Sequence, residues 1–269
     1  MARDFGGRTV VVTGAAGGLG RALCLRFAAA GARIVALDRD AAALEALDLP
    51  ASVAALRLSC DVSREDDCQQ AMTEARRAFG GIDLLINNAG ITHRSAFAHT
   101  ETAVLRRVME VNYFGALYCT HAALDDLVTR RGMLIAISSV AGFAPLIARC
   151  GYAASKHALH GFFESLRSEI EPRGVKVLLV CPSFIETGIE KNALAGDGLP
   201  ARHAQHIVGA RSAPAAIAEK IFRAASRERR LLLPDRVSRL AWVVSRLAPR
   251  LYARSMARRL RGEMHGSEA

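Results

Sequence analysis

Short apolar runs recur along this chain, separated by longer stretches in which apolar positions return every three or four residues. Thr9–Val12, Ala32–Leu37, Ala54–Leu58, Ile82–Ile86, Met133–Ser138 and Lys176–Val180 are each four to six residues long and many of their residues are β-branched. They are apolar at most successive positions, which is what a strand covered on both faces needs, as in a parallel sheet. The stretches between them, such as Arg21–Ala28, carry the helical period. Strand alternating with helix predicts an α/β fold: a doubly wound parallel sheet with helices on both faces and any ligand at the carboxyl ends of the strands. No polar linker or internal repeat interrupts the pattern, so residues 1–235 read as a single domain. Beyond it the character changes. Val237, Leu240, Ala241, Val244, Leu247, Ala248, Leu251 and Tyr252 recur at helical spacing, while Arg246, Arg250, Arg254 and Arg258 form a ridge on another face. Residues 236–261 are therefore a basic amphipathic helical extension, divided in two by Pro249, and 262–269 are expected to be a disordered tail.

The first strand runs into Thr13-Gly14-Ala15-Ala16-Gly17-Gly18-Leu19-Gly20 and then into a helix. Strand, glycine turn, helix is a phosphate-binding arrangement, and it makes the fold Rossmann-like. Gly14, Gly18 and Gly20 allow a tight turn and close approach to a pyrophosphate, whose charge the N–H groups of the helix N-terminus favour. The second strand ends at Asp38, eighteen positions after Gly20, near where an acidic residue meets the adenosine ribose. A carboxylate there accepts from two ribose hydroxyls and repels a 2′-phosphate, which favours NAD; the adjacent Arg39 leaves NADP possible.

Tyr152 and Lys156 lie four residues apart in the run Tyr152-Ala153-Ala154-Ser155-Lys156. In a helix this puts both on one face, beside one ligand. A tyrosine acting as a base near neutrality must fall from about 10 towards 7, a change of about 4 kcal/mol. One unit charge ~4 Å away at an effective dielectric of ~20 supplies about that much, so Lys156 is adequate for the task.

Together these residues resemble the short-chain dehydrogenase/reductase family, in its single-domain branch with a TGxxxGxG turn and a YxxxK pair. The resemblance covers roughly positions 5–235, with several motifs in the expected order. It implies that Asp61-Val62 holds the adenine and that Asn87-Asn88-Ala89-Gly90 is the family's NNAG turn, so that Asn88, Ala89 and Gly90 touch the cofactor. It implies that Asn112 anchors a water in a proton relay, and that Ser139, thirteen residues before Tyr152, orients the substrate oxygen. Tyr152 would then be the acid/base, and Lys156 would also hold the nicotinamide ribose. Pro182-Ser183-Phe184-Ile185-Glu186-Thr187 is similar to the nicotinamide-binding P-G-x-x-x-T turn, with Pro182, Ile185 and Thr187 at the cofactor and Leu19 contributed by the glycine turn. Ser183 replaces the family's glycine, which questions the backbone there because serine tolerates a positive φ poorly. The implied activity is NAD(P)-dependent interconversion of a secondary alcohol and a ketone, without a metal, in a homo-dimer or homo-tetramer.

Charge and composition adjust this picture. The chain has 269 residues and a net charge of +10, but 227–261 holds eleven arginines against two acids, nine of those ten charges. The body is near neutral and nothing resembles an aromatic-interleaved nucleic-acid platform, so nucleic acid is not expected as a partner. The basic extension suits either peripheral contact with an anionic membrane or a lid or subunit contact with solvated arginines. The absence of an apolar leader and of any run of about 18 apolar residues leads us to expect a cytoplasmic protein. The six cysteines show no metal-ligand spacing and read as reduced core residues, Cys150 alone being placed for a substrate contact. Ile91, Phe143, Ala144, Leu146, Phe184 and Ile185 are expected to wall a pocket for a lipophilic alcohol or ketone, covered by the loop 188–212. His93, His203 and His206 read as exposed loop histidines on its rim. The rivals are a catalytically silent dinucleotide-binding regulator and a membrane-surface protein.

Overall fold

The computed structural model describes residues 2–189, 192–201 and 210–259. Seven strands form one sheet: β1 (Thr9–Thr13), β2 (Arg33–Asp38), β3 (Ala55–Ser59), β4 (Leu84–Asn87), β5 (Met133–Ile137), β6 (Lys176–Val180) and β7 (Leu231–Leu232). All pairings are parallel and the order is β3-β2-β1-β4-β5-β6-β7. The order reverses between β1 and β4, where β1 registers as Val10 against Leu84 and Val12 against Ile86. In such a sheet, connections leave to opposite faces on either side of that point and open a crevice at the strand ends.

The helices are α1 (Gly18–Ala28), α2 (Ala41–Glu45), α3 (Glu65–Phe79), α4 (Thr102–Met109), α5 (Gly115–Thr129), α6 (Cys150–Ile170), α7 (Pro214–Ser226), α8 (Arg236–Leu247) and α9 (Pro249–Arg259). Strand side chains alternate between two cores. Val10 and Val12 pack with Leu23 and Phe27 of α1 and Ile217 and Ile221 of α7. Val11 packs on the other face with Met72 of α3, Ala123 of α5 and Phe163 of α6. Local chemistry sets the ends of α3: Glu65, Asp66 and Asp67 open it, Arg76 and Arg77 close it, and Gly80 ends it at φ 75°, each matching the helix dipole or the left-handed cap.

β4 begins two residues later than the apolar run suggests. Ile82 is core, but the Asp83 carboxylate accepts from the Thr9 amide at 2.9 Å and pairs with Arg8 and Arg130, closing the bottom of the sheet. At the chain's end α8 and α9 form a helical pair broken at Ala248, beside Pro249. The arginine ridge anticipated across this break is not continuous: Arg246 on α8 stacks on Trp242, 3.1 Å from the ring centroid, while Arg250, Arg254 and Arg258 belong to α9. No helix among the described residues is long and apolar enough to cross a membrane. The expected tail at 262–269 lies outside the described residues.

Candidate active site

At the carboxyl ends of the strands lies an open cleft of about 1220 Å³. Its dinucleotide end is built by three segments that the sheet brings together. Gly14 turns at φ 64°, and a Cβ added there would come 2.9 Å from the Ala89 Cα; one on Gly18 would come 2.9 Å from the Thr187 Cα. A Cβ on Gly20 would collide with the Gly14 carbonyl. The glycines thus serve the turn's close packing against the neighbouring loops. Thr13 ties the turn to the next strand: its Oγ1 accepts from the Asn88 and Ala89 amides, both at 3.0 Å. Asn88 in turn donates from Nδ2 to the carbonyls of Thr13 and Gly14, at 2.9 and 3.1 Å.

The cleft is lined by Gly14, Gly18, Leu19, Gly20, Asp38, Arg39, Asp61, Val62, Asn88, Ala89, Gly90, Ser139, Tyr152, Lys156, Pro182, Ile185 and Thr187. Of the expected catalytic and cofactor residues, Asn112 alone stands behind the wall. Its side chain is spent on the protein, accepting from the Ile91 amide at 2.8 Å and donating to the Ile91 carbonyl and the Ser155 hydroxyl. It sits in a π-helical turn, Glu110–Phe114, between α4 and α5. The Asp38 carboxylate accepts from the amides of Ala16 at 3.0 Å and Asp40 at 3.2 Å, which pins it at the end of β2 with lone pairs to spare. Asp61 is tempered by burial, yet the Ser63 hydroxyl and amide and the Arg107 guanidinium hold its carboxyl below the ordinary value. With that carboxylate engaged, an adenine would meet the backbone and Val62. These residues fit a dinucleotide.

Tyr152 and Lys156 rise from the first turns of α6, with Ser139 facing them from the end of β5. Burial pushes the Tyr152 phenol above its usual value, against a hydrogen bond from Ser139 and the charge of Arg149. Burial also brings Lys156 down to about 8. The expected lysine-driven lowering of Tyr152 is therefore corrected for the chain by itself. The ammonium lies 5.8 Å from the tyrosine ring centroid and donates to the Ile137 carbonyl at 2.9 Å, and desolvation of the phenol outweighs Ser139 and Arg149.

Other expectations divide. Ile91, Ala144, Leu146, Phe184 and Ile185 wall the cleft, but Phe143 turns away to meet Trp242 edge-on at 4.9 Å. His93 is not an exposed rim histidine. It is fully buried, its Nε2 accepts from the Gly151 amide at 3.0 Å, and burial lowers its pKa to about 4. His203 and His206 lie outside the described residues. Ser183 keeps a negative φ, so its exchange for glycine strains nothing. Its amide donates to Asp235 at 3.0 Å, whose other oxygen caps α8 through the Ser238 amide at 2.8 Å. Five cysteines are buried; Cys150 is exposed and lies off the cleft.

Sequence reasoning missed Thr13, Ser155, Arg149 and Asp235. Only the last carried a legible signal, the helix-capping spacing of Asp235 and Ser238. It also left open that α8 and α9 would wall the cleft, through Val237, Ala241, Val244, Tyr252 and Met256.

Residues 8–197 match the family model for short chain dehydrogenases. The chain is 39% identical over 265 residues to the dehydrogenase/reductase SDR family member 7B of Bos taurus, covering 94% of this chain and 82% of that protein. It is 34% identical over 262 residues to the SDR family protein 7-like of Drosophila melanogaster, covering 94% and 80%. Among solved structures, a Streptomyces avermitilis short-chain dehydrogenase is similar at a TM-score of 0.81 and 27% identity, over 95% of this chain and 98% of that one. Short-chain dehydrogenases from Burkholderia phymatum, in complex with NAD, and Burkholderia cenocepacia, in complex with NADP, share the fold at TM-scores of 0.82 and 0.81, with 24% and 23% identity. They cover 93% and 94% of this chain and 96% and 99% of their own. With a model match across most of the sheet and relatives aligned along nearly its whole length, the chain belongs to the short-chain dehydrogenase/reductase family of oxidoreductases.

Proposed function

We propose that this protein interconverts a secondary alcohol and a ketone with NAD, on a lipophilic substrate. The observation that carries the reading is the convergence of Ser139, Tyr152 and Lys156 at the floor of one cleft with the glycine turn. NAD, when bound, supplies the hydride chemistry. Gly14, Gly18, Leu19 and Gly20 would receive its phosphates, Asp38 the adenosine ribose, Val62 the adenine, Asn88 to Gly90 and Lys156 the second ribose, and Pro182, Ile185 and Thr187 the nicotinamide. Tyr152 gives its proton to the carbonyl oxygen in reduction and takes it from the hydroxyl in oxidation, while Ser139 donates a hydrogen bond to the same oxygen. Lys156, with a pKa near 8, exchanges that proton onward, with Asn112 anchoring the relay.

The pinned Asp38 supports NAD over NADP, because releasing it for a 2′-phosphate would break two backbone hydrogen bonds. The Burkholderia proteins carry one cofactor each, so NADP remains the second candidate. The apolar wall supports a lipophilic substrate, and exposed Phe97 and Phe114 support a homo-oligomer. The buried thiols support a reducing, cytoplasmic setting, with residues 1–235 as catalytic body and 236–261 as an appended lid. The decisive experiment is a screen of secondary alcohols and ketones by absorbance of the reduced nicotinamide, with NAD and NADP in parallel. Turnover with NAD preferred is expected. Tight dinucleotide binding with no turnover on any of them would overturn the reading in favour of a silent regulator.

A further inference from the structure

Helices α8 and α9 present two different faces. Val237, Ala241, Val244 and Tyr252 point inwards to the cleft, and the last three form a small cluster with Ala144. The helices are already anchored by these contacts. Yet Leu240, Val243, Leu247 and Leu251 remain 65%, 49%, 81% and 63% exposed, half of the large exposed apolar side chains among the described residues. Around them lie seven exposed arginines at 236, 239, 246, 250, 254, 258 and 259, with no acid in either helix. Leu240 and Leu251 also line the cleft, so the apolar stripe reaches its rim.

We propose that the outer face of α8 and α9 docks on an anionic lipid bilayer and sets the rim of the cleft against it, so that a membrane-dissolved alcohol or ketone enters past Leu240 and Leu251. The apolar side chains and the charge favour one occupant. A bilayer surface accepts leucines below its headgroups and arginines among its phosphates at once. A nucleic acid would reward the arginines and leave the leucines in water, and a soluble acidic protein would need an apolar groove matched to two helices already packed on the body. Docking is independent of the chemistry; only the delivery of substrate rests on the oxidoreductase reading.

The test uses the purified full chain with vesicles of phosphatidylcholine alone or equimolar with phosphatidylserine, at low and high salt. Co-sedimentation with the mixed vesicles, released by salt and weak on phosphatidylcholine, is expected. Val243→Asp with Leu247→Asp, neither lining the cleft, should lower the bound fraction by about tenfold or more and leave turnover of a water-soluble ketone unchanged. Arg250→Glu with Arg254→Glu should act similarly at low salt. Failure of the wild-type chain to co-sediment at low salt overturns the proposal. So does a Val243→Asp, Leu247→Asp variant that binds vesicles as before but sediments as a smaller oligomer, since the face would then be a subunit contact. Vesicle binding is read without turnover, so an inactive protein that still docks would discard the oxidoreductase reading alone.

Discussion

Tyr152 meets opposed influences: desolvation favours its neutral form, while Ser139 and Arg149 favour the anion. Desolvation wins, so near neutrality the phenol holds its proton and is ready to act as an acid. Ketone reduction should therefore proceed at neutral pH, whereas alcohol oxidation should rise into the alkaline range; an oxidation rate flat from pH 6 to 10 would contradict this. Tyr152→Phe removes only the titrating hydroxyl. Turnover should fall by about a thousandfold or more with dinucleotide affinity, measured by fluorescence titration, nearly intact. His93 and His160 make a second case, both lowered by burial to about 4. Below its unfolded pKa of about 6.5 each takes up a proton on unfolding that the native state refuses, so stability falls as pH drops from 6.5 towards 4, by roughly 3 kcal/mol per histidine. Urea unfolding across that window checks it, and His93→Gln should flatten the slope. His93 escaped sequence reading because a loop position says nothing of what folds over it.

Asp235 acts between elements: one oxygen caps α8 and the other holds the Ser183 amide. Through it the turn at 182–187 and the start of α8 share a support. Asp235→Ala should cost about 1–2 kcal/mol in thermal unfolding and, unlike loss of a cap elsewhere, raise the KM for the dinucleotide. An unchanged KM would leave Asp235 as a cap only. The glycine turn, by contrast, was legible residue by residue, since strand, glycines and helix are adjacent in the chain. What was not legible there is Thr13, whose partners Asn88 and Ala89 are about 75 positions away in sequence.

Over the whole molecule, stability is unevenly placed. The central strands are sealed by two large cores, whereas among the described residues only Ala144, Ala241 and Tyr252 form the buried apolar centre under α8 and α9. Amides of β1, β4 and β5 should thus exchange with solvent only on global unfolding, and those of α8 and α9 orders of magnitude faster, through local detachment. Equal protection of both would show that the helical pair unfolds with the body. Charge is uneven in the same sense, with a near-neutral body and a basic end.

The apolar periodicity and the glycine, serine, tyrosine and lysine motifs by themselves determined the doubly wound sheet, the cleft's position and most of its lining. They could do so because each is a local pattern whose meaning depends on neighbours a few residues away. Tertiary structure alone decided the rest. It buried His93, spent the Asn112 side chain on Ile91 and Ser155, and drew Lys156 onto the Ile137 carbonyl. It also divided one amphipathic segment into an inner face on the cleft and an outer face of leucines and arginines. Burial, charge and hydrogen-bond partnership are properties of space, set by segments far apart in the chain, and no spacing along the sequence encodes them.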